Sequence, residues 1–176
     1  MQETNEQYVA RISGYVEGQN HFKVFQSTTS KLQRLLNRIP ASRLKKEPAS
    51  DKWSVAEILG HLAESEIVFG YRMRMILGSN GTPIQAFDQN KWQENAGYLA
   101  RNPKMAFELF QVVRESNVAL LKSLTKEQWS FHGNHQERGH ETIARMVELY
   151  AGHDVNHVEQ IGGILNAARS KKARRA

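Results

Sequence analysis

Four stretches of this chain carry apolar residues at alternating three- and four-residue steps, the repeat of one face of an α-helix. No other feature limits the fold as strongly. The first stretch runs from about Asn20 to Ile39, with Phe22, Phe25, Thr29, Leu32, Leu35, Leu36 and Ile39 on one face, and Pro40 ends it. The second opens with Ser54 and Glu57, a capping box that satisfies free N–H groups of a first helical turn. Its stripe is Val55, Ile58, Leu59, Leu62, Phe69, Met73 and Ile76, and it stops at Gly78. The third begins at Asn102-Pro103, a cap followed by Pro at the first helical position, and carries Ala106, Leu109, Phe110, Val113, Asn117, Leu120, Leu121 and Leu124. The fourth runs from about Thr142 to Ala168 through Ile143, Met146, Val147, Tyr150, Val158, Ile161, Ile164 and Leu165. No stretch alternates convincingly at period two, so no sheet is expected. Four long helices, each with one apolar stripe, predict an all-α four-helix bundle. The connection from Gly78 to Asn102 is much longer than the usual two to eight residues between bundle helices. It is expected to be a crossover, or a functional loop with its own short helix near Asp88 to Trp92.

The 176 residues suit a single domain, expected over 1–168. The formal net charge is +6, a balance that points toward nucleic acid or anionic surfaces only if the charge is spread over the domain. It is not. Residues 169–176, RSKKARRA, hold five basic residues and no acid; without them 19 basic residues face 18 acidic ones. The segment reads as a disordered basic tail, and specific nucleic-acid binding is not expected. The polar N-terminal segment lacks a signal-peptide core, and no apolar run approaches membrane-spanning length, so the expected location is cytoplasmic with no membrane partner. The chain has no cysteine. That excludes disulfides, thiolate metal sites and cysteine nucleophiles, and any metal must be held by His, Asp or Glu.

Attention therefore falls on seven histidines: His21, His61, His132, His135, His140, His153 and His157. His153 and His157 form H-D-V-N-H inside the fourth helix, and a four-residue step places both rings on one side, a turn apart. With Ile143 at zero, His157 falls at about 320° and His153 at about 280° on a helical wheel, in the apolar face and on its edge. Two buried imidazoles need partners, which a shared metal would supply; hydrogen bonds to side chains or water are the alternative. A third ligand is required, and His61, on the flank of the second helix, is the best candidate. His132, His135 and His140 lie in or beside a loop and read as solvated, though a loop could bring one to the mouth of a site. His21 reads as structural. Three neutral imidazoles suit Zn²⁺ or Ni²⁺, with Fe or Mn less favoured, and leave a coordination position open.

The segments DKWSVAEILGHLAESE (51–66), FDQNKW (87–92) and GHETI with HDVNHVEQI (139–161) resemble the DinB-like superfamily, and within it the YfiT-like metal-dependent hydrolases. The resemblance spans about residues 20 to 165. It implies a four-helix bundle whose metal is bound by His61, His153 and His157. It also implies an enzyme that acts on a small molecule, activating either water, as a hydrolase, or a low-molecular-weight thiol co-substrate, as an S-transferase. Homodimers are common in the superfamily. The alternative is a non-catalytic, stress-related metal-binding or dimerisation bundle, since no catalytic carboxylate stands beside the triad in the sequence.

Other residues have two readings each. Glu66 falls on the apolar side of the second helix, as a general base or metal-orienting group, or more simply as an ion-pair partner of Arg72 or Arg114. Asp154 is expected to support the site or join two helices. Asp88 and Trp92 should fold the long connection over the bundle end, with lining the pocket as the alternative, and Trp53 should pack the start of the second helix rather than contact substrate. Arg72 reads as a surface arginine, with an anionic substrate group as its alternative partner.

Overall fold

In the computed structural model, residues 3–50, 52–98 and 102–173 are described, with side chains described up to residue 167. The four expected helices are present as α2 (His21–Leu36), α4 (Val55–Gly78), α6 (Pro103–Ser123) and α8 (Ile143–Ala173). Their ends follow the capping chemistry. Asn20 caps α2 through Lys23 N–H. Ser54 and Glu57 close a reciprocal box at α4, and Asn102 with Pro103 opens α6. Shorter helices are α1 (Asn5–Gly14), α3 (Ala41–Leu44), α5 (Gln89–Ala96) and α7 (Lys126–Trp129). The short helix expected near Asp88–Trp92 is α5, and Asp88 caps it by accepting from the Asn90 and Lys91 N–H groups. The α8 helix continues to Ala173, so it extends into the segment read as a disordered tail. Lys, Arg and Ala are good helix formers, and cations are favoured at a helix C-terminus. Residues 174–176 lie outside the described residues.

One expectation fails: a small sheet is present. β1 (Thr82–Ile84) pairs in parallel with β2 (His132–His135), which pairs antiparallel with β3 (Gly139–Thr142). Strands of three or four residues are too short to display a period of two. They are held by ladder hydrogen bonds and by Gly133, where a Cβ would lie 2.2 Å from the Ile84 side chain.

The core is divided. One apolar cluster holds Phe25, Phe69, Met73, Leu121, Met146 and Val147; the other holds Leu32, Ile58, Leu62, Phe110, Ile161 and Leu165. The order in which each helix passes through them gives its direction. α2 and α8 run from the first cluster to the second, while α4 and α6 run the opposite way. α4 packs most extensively on α6, and α2 on α8. Each close pair is therefore parallel, and the chain between α4 and α6 must return along the length of the bundle. The long connection is that crossover.

Between the clusters lies a buried polar layer. The Arg114 guanidinium donates to Asp154 Oδ2 at 2.7 Å, Glu66 Oε2 at 2.7 Å and the Phe25 carbonyl at 2.6 Å. Thr28 Oγ1 donates to Asp154 at 2.8 Å, and Asn117 Nδ2 to Glu66 at 2.8 Å. The Arg114 guanidinium also lies 3.6 Å from the centroid of the Phe25 ring. All four long helices thus meet at one cation. Removing one member of a buried ion pair leaves a charge unpaired, at a cost of about 3–5 kcal/mol. Arg114→Met is expected to lose stability on that scale, measured by urea denaturation; a change under about 1 kcal/mol would show that the layer contributes little.

Candidate metal centre

His61 lies on the second turn of α4, and His153 and His157 lie one turn apart on α8. The three rings converge. His61 Nε2 and His153 Nε2 are 2.8 Å apart. Ring centroids are separated by 5.0 Å for His61–His153, 4.9 Å for His61–His157 and 4.5 Å for His153–His157. One nitrogen from each ring falls within 4.8 Å of the others. His61, read from the wheel as a flank residue, is only 1% exposed. α8 and the Trp53 ring, whose centroid is 5.2 Å from that of His61, cover the flank. A single-helix wheel cannot show that cover.

The donor set fits a divalent cation. The His157 Nδ1–H donates to Gln160 Oε1 at 2.9 Å, an arrangement that leaves Nε2 with its lone pair facing the other rings. Burial holds His61 and His153 in the neutral form, well below the usual imidazole range, and the neighbouring histidines push the same way. Burial also lowers His157, opposed by its bond to Gln160. Neutral imidazoles are the form that ligates metals. The Nδ1 atoms of His61 and His153 are buried without a hydrogen-bond partner.

A cavity of about 370 Å³ opens beside His61 and His153. Its walls include Ser65 and Arg72 from α4, Tyr8 from α1, Ala86–Asn90 from the crossover, His135 and Arg138 from the β2–β3 hairpin, and Tyr150 from α8. The crossover thus forms one wall of the cavity. Asp88 supports this wall as the α5 cap. Trp92 is 38% exposed and packs on Phe87.

The other expected residues separate clearly. Glu66 accepts from Arg114 and Asn117 in the polar layer and is not among the residues lining the cavity. Burial raises the affinity of Glu66 for a proton, and Arg114 opposes this. The ion-pair reading of Glu66 is the one the structure contains, with Arg114 as partner. Asp154 joins α8 to α2 and α6. Arg72 is not a surface residue: it is 5% exposed and faces the cavity. His135, read as solvated, is 3% exposed. Its strand pairs on both sides, and burial is the main cause of a pKa lowered to about 4. His132 and His140 stack on each other at the hairpin, 4.1 Å between ring centroids. No sequence signal marked the inward turn of His135, because a strand of four residues is too short to show alternation.

Four buried histidines that resist protonation have a consequence for stability. The unfolded chain binds protons near pH 6.5, whereas the folded metal-free protein takes them up only at lower pH. Stability is therefore full above about pH 6.5 and falls as the pH drops toward 4. In metal-free protein the urea midpoint should fall from about pH 7.5 to pH 5, and His135→Gln should flatten part of that slope. A midpoint that is flat or rises would contradict the burial of these rings.

Comparison with known proteins gives consistent matches. The profile of the DinB superfamily matches residues 25–161. A protein of Oceanobacillus iheyensis, provisionally named a metal-dependent hydrolase, is 25% identical over 141 residues, covering 79% of this chain and 80% of its own. YfiT of Bacillus subtilis, with the same provisional name, is 24% identical over 142 residues, covering 79% of each chain. The solved structure of YfiT, described as an unusual four-helix bundle topology, superposes with a TM-score of 0.77 at 21% identity, over 94% of this chain and 89% of that one. The mycothiol-dependent maleylpyruvate isomerase shares the fold, with a TM-score of 0.65 at 15% identity over 81% of this chain and 59% of that chain. Among the described residues no helix is long and apolar enough to cross a membrane.

Proposed function

The chain belongs to the DinB superfamily, and from that premise we propose that it is a metal-dependent enzyme whose divalent ion is held by His61, His153 and His157. The convergence of three neutral imidazoles, two of which line a cavity, is the observation that carries this reading. Zn²⁺ or Ni²⁺ suits the donors best. Three protein ligands leave a position for a nucleophile, and the ion when bound lowers the pKa of water or a thiol there.

The chain's own residues favour a thiol. Hydrolysis is helped by a carboxylate that takes a proton from the attacking water. Glu66 is committed to Arg114, and the acids lining the cavity, Asp88 and Glu137, are both exposed. A thiol loses its proton readily and needs no such base. The provisional names of the relatives favour water instead, and the hydrolase is the second reading. In either case the protein binds the small molecule in the cavity, orients it with polar walls, and excludes bulk water with the crossover.

Elemental analysis of the purified protein should find one metal ion per chain. His157→Ala should lose that ion and the turnover measured in a screen of low-molecular-weight thiols against electrophiles. Hydrolysis without thiol dependence would select the second reading. Metal without any turnover above free ion would favour a non-catalytic binding bundle, and a metal-free, unaffected His157→Ala protein would refute the site.

The active form is a homodimer in this reading. Ile67, Tyr71 and Met75 follow one another at four-residue steps on α4 and are 39%, 63% and 40% exposed; Met105, Leu109 and Val112 extend the apolar surface on α6. Exposed apolar stripes on two adjacent helices mark an interaction surface. Tyr71→Glu should convert a dimer to a monomer in sedimentation, and a monomeric parent protein would remove the idea.

A further inference from the structure

Among the described residues, Arg72 is a buried charge without an ionic partner. It is 5% exposed, and its guanidinium donates to the Gln85 carbonyl at 2.5 Å and lies 5.7 Å from the centroid of the Phe87 ring. Among the described residues it makes no ion pair. The other cavity arginine, Arg138, is paired with Glu141. Burying a cation beside neutral groups alone is costly.

His135 lines the same cavity as Arg72. The Glu137 N–H donates to His135 Nδ1 at 3.2 Å, so in the neutral ring the proton sits on Nε2. That Nε2 is buried and has no hydrogen-bond partner. It is a donor waiting for an acceptor. Tyr150 also lines the cavity. The cavity thus brings together a buried cation without an ion pair and an N–H donor without an acceptor.

We propose that Arg72 and His135 form an anion subsite that binds a carboxylate of the small-molecule substrate. This deepens the enzyme reading and rests on it for the word substrate. A single positive charge matches a carboxylate, whereas a phosphate dianion calls for further cations. The position also suits a two-point site. Arg72 follows His61 by eleven residues, about three turns, so both lie on one line of α4 with Cα atoms about 16 Å apart. A molecule held by its carboxylate at Arg72 extends along the cavity toward the three histidines.

The test compares binding of benzoate, its neutral analogue benzamide, and phenyl phosphate by titration calorimetry or NMR, using the protein as purified. Benzoate should bind about tenfold more tightly than benzamide. Arg72→Gln should erase that preference, and His135→Ala should reduce it, while His157→Ala retains it. Equal binding of benzoate and benzamide, or no benzoate binding, overturns the proposal without needing any variant to fold. Tighter binding of phenyl phosphate than of benzoate overturns the carboxylate class. A preference lost in His157→Ala but kept in Arg72→Gln assigns the carboxylate to the histidine site and also overturns it. Failure of the metal reading would show separately, as a protein without metal whose benzoate preference still depends on Arg72.

Discussion

The bundle is organised around a cation that water does not reach. Arg114 is 2% exposed, and its partners come from α2, α4 and α8. Such a group tolerates burial only while it stays paired with its carboxylates. This condition restricts how the helices can slide or rotate. A shift of one turn in α8 would carry Asp154 away from Arg114 and strand both charges. Apolar stripes alone accept many registers, and the polar layer selects among them. The same register places His153 and His157, which flank Asp154, at the level of His61.

A second constraint comes from helix direction. Because α4 and α6 are parallel neighbours, the chain between them cannot turn back with a short loop. It runs beside α4, where β1 joins the small sheet, Gln85 and Phe87 meet Arg72, and Gln93 donates to Glu57 at 2.8 Å. Tyr98 then closes over Gly60, where a Cβ would meet its ring at 2.9 Å. A connection imposed by topology thus becomes the wall of the cavity, which His61 and His153 also line.

Much of this was legible in the chain. The four long helices, their caps and the short helix after Asp88 follow from local periodicity and capping, which act within a few residues. The H-D-V-N-H pair was legible because a four-residue step defines a common face. Other residues were misread for one reason: their surroundings come from distant parts of the chain. Arg72 resembles any surface arginine until the crossover covers it, and His135 sits in a loop-like segment until two strands flank it. The sheet left no trace because three or four residues cannot carry a period.

The sequence by itself determined the helices, the absence of thiolate ligands and the pairing of two histidines, since each depends on residue type and short-range spacing. Tertiary structure decided between the readings the sequence left open for His61 and Glu66, bringing His61 to the cluster and Glu66 to Arg114, and it alone turned Arg72 and His135 toward a cavity. Those outcomes depend on which helices lie side by side and in which direction. That in turn is decided by the satisfaction of buried charges across four helices, a condition that no single stretch of the chain contains.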